Sequence, residues 1–391
     1  LHFSSQLYAS YAPNMTKRII CLLLNDSGSD HMRQGKAKYL FPGNNTPKGF
    51  ISHYHEGLRG MQQIFILKGG PGVGKSTLMR KIGTAMLERG YDVEFWQCSS
   101  DNDSIDGVLI PAISTAIIDG TSPHIVDPRY PGAVEEIVNL GNHWNRLLLR
   151  NDKKDIIELT DSISEHFTAC YAKLAKAGSL LESQMKKTAS KIDMPTLRNI
   201  IQELTNTVYR SGASRSRNLF STAVTPRGLI SFAEPLSRSV GNRWLLIGPV
   251  GCGKELILKS LADEAERKGH YAEIYHPALL PEQIELLLLP DLDIAILDAG
   301  DKTPSYATDE DHIIDCSELC DIDSEQIEEE NGAIATLVEE ATAQVAKAKE
   351  LHDKLEQHYI RAMNFEEVDA AGSTLFNRIL ALCAEKESGG N

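Results

Sequence analysis

Gly69-Gly70-Pro71-Gly72-Val73-Gly74-Lys75-Ser76 fits the pattern G-x-x-x-x-G-K-[ST] at every position, and Thr77 carries it into the next segment. Glycines at these places let the backbone close around a polyphosphate and aim N–H groups at it. The lysine reaches the terminal phosphates, and the hydroxyl after it suits a magnesium ion. A second stretch, Gly248-Pro249-Val250-Gly251-Cys252-Gly253-Lys254-Glu255, keeps the glycines and Lys254 but puts Glu255 where the hydroxyl belongs. That carboxylate adds negative charge beside any phosphate, although it is still able to hold a cation in altered geometry. The second loop is therefore expected to bind nucleotide weakly or without hydrolysis, or not to bind it.

Other residues have the types that such chemistry needs. Asp119 closes the apolar run Ala116-Ile117-Ile118, and Asp298 repeats its spacing from the second lysine. A carboxylate at the tip of a buried strand is a magnesium partner, and the bland alternative is a turn or cap aspartate. Cys98-Ser99-Ser100-Asp101-Asn102-Asp103-Ser104-Ile105-Asp106-Gly107 lies where strand ends face a ligand crevice. Asp101 and Asp103 are its first candidates for orienting a water or taking a proton, and an acid anywhere in 101–106 would serve. The same composition also suits a turn that caps a helix. His124 and Asp127 fall in a loop that would sense the γ-phosphate or be purely structural. Lys48 and Arg227 occupy matched Thr-Pro-x-Gly motifs, either solvated or reaching a phosphate in the manner of an arginine finger. Thr46-Pro47 and Thr225-Pro226 themselves read as helix starts. His312, Cys316 and Cys320 recur at four-residue spacing, but with no second Cys/His cluster nearby they make a poor metal site.

The elements that must position these residues come in two sets. Lys75 and Lys254 are 179 residues apart, and the same offset carries Thr46–Ser52 onto Thr225–Ser231, Glu94 onto Glu273 and Asp119 onto Asp298. Such a fixed offset is the mark of a tandem duplication. In each copy an apolar run (Ile64–Leu67, Trp244–Ile247) predicts a buried strand entering the glycine loop. A helical period follows (Lys75–Arg89, Lys254–Lys268), stopped by Gly90 or Gly269. Further strands are expected at Val93–Gln97 and Thr115–Asp119, and at Ala272–Tyr275 and Ile294–Asp298. Alternation of this kind predicts an α/β fold with a mainly parallel sheet covered on both faces.

The domain reading is an N-terminal extension over 1–38, partly disordered; a first core over 39–132; a helical appendage over 133–212; a degenerate second core over 213–323; and a second helical appendage over 324–391. Ala341–Tyr359 also allows a coiled coil. The acid-rich stretch 298–330, with thirteen acids and one lysine, reads as a solvated linker.

A net charge of −14 disfavours a general nucleic-acid binder. Seven scattered cysteines suit a reducing cytoplasm better than a disulfide framework, and no apolar run is long enough to span a membrane. Ile19–Leu24 is too short for a typical signal core.

Phe41-Pro42-Gly43-Asn44-Asn45-Thr46-Pro47-Lys48-Gly49-Phe50, the loop at 69–76, Cys98-Ser99-Ser100-Asp101 and Asp119-Gly120-Thr121-Ser122-Pro123-His124 together resemble a bacterial, mainly Firmicute, family of tandem P-loop proteins labelled ATPase or nucleotide-kinase-like. The resemblance runs from about Tyr39 onward. It implies the P-loop NTPase fold and binding of ATP with Mg2+, and it does not imply a pathway.

Three functions follow as expectations. In the first, the N-terminal half hydrolyses ATP through Lys75, Ser76 and Asp119, and the C-terminal copy regulates or merely folds, the two halves forming an intramolecular pseudo-dimer. In the second, the γ-phosphate passes to a small acceptor beneath a helical arm. In the third, nucleotide binding only organises a scaffold for a protein partner. The absence of a glutamate directly after Asp119 weakens a motor reading, and the lack of an acceptor motif weakens the kinase.

Overall fold

The computed structural model describes residues 34–209, 216–320 and 324–388. Most of the N-terminal extension, with Ile19–Leu24, lies outside the described residues. From Gly35 onward the described chain forms one compact unit.

It is a mixed α/β structure with two six-stranded sheets. The first is built from β1 (Ala37–Leu40), β4 (Gln63–Lys68), β5 (Val93–Gln97), β6 (Ile105–Ile110), β7 (Thr115–Asp119) and β8 (Glu135–Asn139), in the spatial order β1-β5-β6-β7-β4-β8. Only β6 runs against its neighbours. The second sheet comprises β9 (Ser216–Phe220), β12 (Asn242–Ile247), β13 (Ala272–His276), β14 (Leu286–Leu289), β15 (Ile294–Asp298) and β16 (His312–Asp315). Its order β9-β13-β14-β15-β12-β16 repeats the first sheet strand for strand, with β14 the antiparallel member.

The central strands are apolar on both faces because both faces are covered: Ile64, Phe65, Ile66 and Leu67 are all buried. Each glycine loop leads into a helix, α2 (Lys75–Glu88) or α7 (Lys254–Lys268). Leu78, Met79, Ile82 and Met86 form the buried stripe of α2.

The Thr-Pro-x-Gly motifs are not helix starts. They are hairpin turns joining β2 (Gly43–Thr46) to β3 (Gly49–Ser52), and β10 (Thr222–Thr225) to β11 (Gly228–Ser231). Proline presets the turn, and Gly49 (φ 91°) and Gly228 (φ 101°) take the left-handed conformation that closes it. The short helices α1 (Tyr54–Gly57) and α6 (Ala233–Ser237) follow the two hairpins.

The halves meet through matched residues. Phe41 and Phe220, equivalent in the repeat, exchange two backbone hydrogen bonds of 3.1 and 3.0 Å. Asn44 and Asn45 are fully buried and donate across to Thr222 O (2.7 Å) and Val224 O (3.2 Å). Nearby, Lys38 pairs with Glu273 and Arg217 pairs with Glu94, each cation from one half and each acid from the other. Burial alone would raise both carboxyls; Arg217 and Lys38 outweigh it and hold them below the usual range.

The appendages differ from their expected bounds and, more consequentially, from their expected places. The first sheet claims 135–139 as β8, so helix begins only with α3 (Arg146–Asn151), followed by α4 (Lys153–Ala189) and α5 (Met194–Val208). The second appendage is α8 (Ser324–Ala362) and α9 (Phe365–Ser388). The acid-rich stretch is partly built into the fold, since β16 lies in it and Asp311 holds the buried Arg243 at 2.6 Å.

Each appendage crosses to the other half. Leu197 and Leu204 of α5 pack with Ile257 and Leu261 of α7, whereas Val368, Leu375 and Ile379 of α9 pack with Leu78 and Ile82 of α2. The long helices α4 and α8 run antiparallel, as the pairs Lys187–Glu330 (2.6 Å), Lys173–Glu340 (2.5 Å) and Asp152–His358 (2.7 Å) show. No helix among the described residues is long and apolar enough to cross a membrane.

Candidate functional site

Both glycine loops sit at the C-terminal tips of parallel strands, and their backbones match. Gly69, Gly72 and Gly74 have φ of 148°, 69° and 95°; Gly248, Gly251 and Gly253 have 131°, 85° and 107°. Side-chain-bearing residues rarely adopt such values, so the glycines are required for this curve.

In the first loop Lys75 is 8% exposed. Its ammonium donates to Gly69 O (3.0 Å) and Gly70 O (2.8 Å) and stands 3.5 Å from Asp119 Oδ2. Ser76 Oγ accepts a hydrogen bond from the Ile105 amide at 3.0 Å. Asp119 is steadied by Thr121, whose amide (2.9 Å) and hydroxyl (2.6 Å) both donate to Oδ1. The adjacent lysine and hydroxyl thus meet a carboxylate 44 residues further along the chain at one strand end. Ser76 and Asp119 present oxygen donors of the kind a hard divalent cation takes.

The two acids favoured from sequence lie at the rim. Asp101 Oδ1 accepts from the Asp103 amide (2.9 Å), an Asx-type turn, while Oδ2 is 3.4 Å from Lys349 of α8. Asp103 pairs with Arg227 at 2.6 Å, and both side chains are largely exposed. Lys48 makes the matching pair with Glu282, at 2.5 Å, at the other half's loop. Each hairpin tip therefore reaches the partner half's loop and meets a carboxylate there. Asp127 pairs with Lys68 (2.9 Å). Thr77 points outward from α2.

Asp106 turns inward instead. It lies on β6 beside Asp119 on β7, and burial lifts its carboxyl to about 6 despite the opposing influence of His124. His124 is 7% exposed, its ring stacked 4.9 Å from that of Tyr54 and its Nε2 4.0 Å from Asp106 Oδ1. Sequence reasoning missed Tyr54 altogether. One signal for it exists: its repeat equivalent is Ala233, so the aromatic ring is particular to the first half.

The second loop is filled by its own side chains. Glu255 Oε1 accepts from the Gly251 amide at 2.6 Å, so a carboxylate already takes a loop donor. Lys254 is held by Asp298 at 2.6 Å. Burial disfavours its charge, but Asp298 outweighs this and raises its pKa above the ordinary lysine value.

Helices of the opposite appendage cover both loops. A methyl group on Gly70 would strike the Tyr359 ring at 2.4 Å, and one on Gly72 would lie 3.0 Å from Glu356 O, both on α8. In the second loop, Gly251 faces Met185 O of α4 and Gly253 faces Leu197 of α5. The α4–α8 pair therefore touches one loop at each end. On α8, His352, Asp353 and Glu356 bring ligand atoms within 4.8 Å of one another, although Asp353 is already paired with Lys349. His312 stacks on Trp244 (4.3 Å) and lies on a strand, while Cys316 and Cys320 are buried beyond it, so these three do not line one helical face.

No family model, curated protein or solved structure matches the chain.

Proposed function

We propose that the N-terminal half is a magnesium-dependent ATP-binding and ATP-hydrolysing unit of the P-loop NTPase class, and that the C-terminal half is a degenerate copy with a regulatory or structural role. The observation that carries this reading is the convergence of Lys75, Ser76 and Asp119 on a left-handed glycine loop at the head of α2. The loop amides and the positive end of α2 would hold the phosphates. Lys75 would exchange the Gly69 and Gly70 carbonyls for phosphate oxygens. Mg2+, held by Ser76 and Asp119, would supply neutralisation of charge on the terminal phosphates. Tyr359 and Glu356 of α8, against the outer side of the loop, would register occupancy and pass it along the α4–α8 pair. Free thiols at Cys98, Cys170, Cys252, Cys316, Cys320 and Cys383 fit a reducing, cytoplasmic setting.

Purified protein with γ-labelled ATP tests the proposal. Magnesium-dependent release of labelled phosphate without any acceptor is the expected result. Label that moves only onto an added metabolite would replace hydrolysis with phosphotransfer, and tight binding with neither outcome would leave a scaffold.

A further inference from the structure

Four buried polar atoms in the core of the first half lack a hydrogen-bond partner at ordinary distance: the Tyr54 hydroxyl, which faces the Asp106 carboxylate, the Trp96 indole nitrogen and both ring nitrogens of His124. They belong to three touching side chains, Tyr54 lying flat on His124 (4.9 Å) and edge-on to Trp96 (5.1 Å). Buried polar groups in folded proteins are ordinarily satisfied, and several orphans in one place mark a spot where a small polar molecule belongs. Asp106 borders the same spot through His124.

The other half shows what a finished version looks like. Glu285, the repeat equivalent of Asp106, accepts hydrogen bonds from the hydroxyls of Ser221 and Thr222. The first-half equivalents of those two residues are Pro42 and Gly43, which carry no hydroxyl. Tyr54 and His124 correspond to Ala233 and Thr303. One half caps its carboxylate with two hydroxyls, and in the other Asp106 faces the Cys98 thiol and the Tyr54 hydroxyl while the His124 and Trp96 nitrogens stay unpartnered. The position is also telling. Ile105, the residue before Asp106, donates to Ser76 Oγ, and the β6–β7 ladder, whose last pair is Gly107 with Ile118, sets Asp106 next to Asp119.

We propose that Tyr54, Trp96, Asp106 and His124 form the seat of the attacking oxygen nucleophile, with Asp106 as the group that takes its proton. The inference rests on the ATP reading above. In the step, the nucleophile's oxygen forms a bond to the γ-phosphorus as its proton passes to the Asp106 carboxylate. The bond from that phosphorus to the bridging oxygen breaks, and its electron pair leaves with the diphosphate. Water and an acceptor hydroxyl share this chemistry. His124 and Tyr54 position the oxygen.

The test combines kinetics, binding and crystallography on the full chain. Asp106→Asn should lower turnover by about 100-fold or more while a fluorescent ATP analogue binds as tightly as to wild type. His124→Asn should lower it by a smaller factor with binding again intact. A nucleotide-free crystal structure of the wild type should show an ordered water touching at least two of the orphaned atoms. Turnover in 18O-labelled water separates the sources, since label in the released phosphate marks water and transfer to an alcohol marks an acceptor; either supports the seat. Undiminished turnover in Asp106→Asn, or no ordered water on these atoms in the crystal, would overturn it. Failure of the wild type to bind the analogue would instead sink the ATP reading, and this inference with it.

Discussion

The loops at 69–76 and 248–255 share one backbone and differ in what their own side chains leave free. In the first, Lys75 rests on loop carbonyls and Asp119 waits 3.5 Å away. In the second, Lys254 is locked to Asp298 and Glu255 occupies a loop amide. Two loops of one shape thus differ in what holds their donors: in the second, Glu255 satisfies an N–H group of the kind a phosphate would take. The lesson extends to the strand tips, where Glu285 is capped by two hydroxyls and Asp106 is not.

The largest test of this contrast is Lys75→Ala, which should reduce ATP turnover by about 1,000-fold or more in a phosphate-release assay. Retained turnover would remove the distinction between the loops. Asp119→Asn should follow, costing on the order of 100-fold and raising the magnesium concentration needed for half-maximal rate. Glu255→Ser would sharpen the comparison from the other side. Freeing the Gly251 amide and restoring a hydroxyl should take nucleotide stoichiometry in calorimetry from one site towards two, and an unchanged stoichiometry would show that α4 and α5 alone keep the second loop shut.

A smaller effect concerns pH. Burial pushes the Glu285 carboxyl up to about 7, against the hydrogen bonds from Ser221 and Thr222. The folded state therefore holds this proton more tightly than the unfolded chain does. Its stabilising contribution is complete below the ordinary glutamate value and is lost as pH rises towards 7. Glu285→Gln should flatten that part of the melting profile, an effect on the order of 3 kcal/mol. Smallest of all, Lys254→Ala should change turnover by no more than about twofold, because distant sites act nearly independently. A large loss there would mean that the signal along the α4–α8 pair also runs back from the second loop to the chemistry of the first.

Much of the cores was legible. The glycine loops, the helices after them and the apolar strands at 64–67, 93–97, 115–119, 244–247 and 294–298 follow from local periodicity and from glycine's access to positive φ. The hairpins were misread because Thr-Pro opens a helix as readily as it opens a turn; what decides is Gly49 or Gly228 two residues on, together with pairing that lies outside the motif. Strand β1 is short, and β6 and β8 interrupt their apolar residues with Asp106-Gly107 and with Glu135-Glu136, so none of the three announces itself. Asp101 and Asp103 looked as able as Asp106 because burial is not written in a run of Asp, Asn and Ser.

By itself the amino-acid sequence determined the duplication, the two cradles and the loss of the hydroxyl at Glu255, since these depend on residue type and spacing alone. Only the tertiary structure decided that each appendage lies over the opposite half, that Asp106 and His124 face inward, and that a single antiparallel helix pair touches both loops. An amphipathic helix records that it must bury one face, not which surface will cover it. That choice falls to long-range packing, where Leu197 met α7 and Val368 met α2.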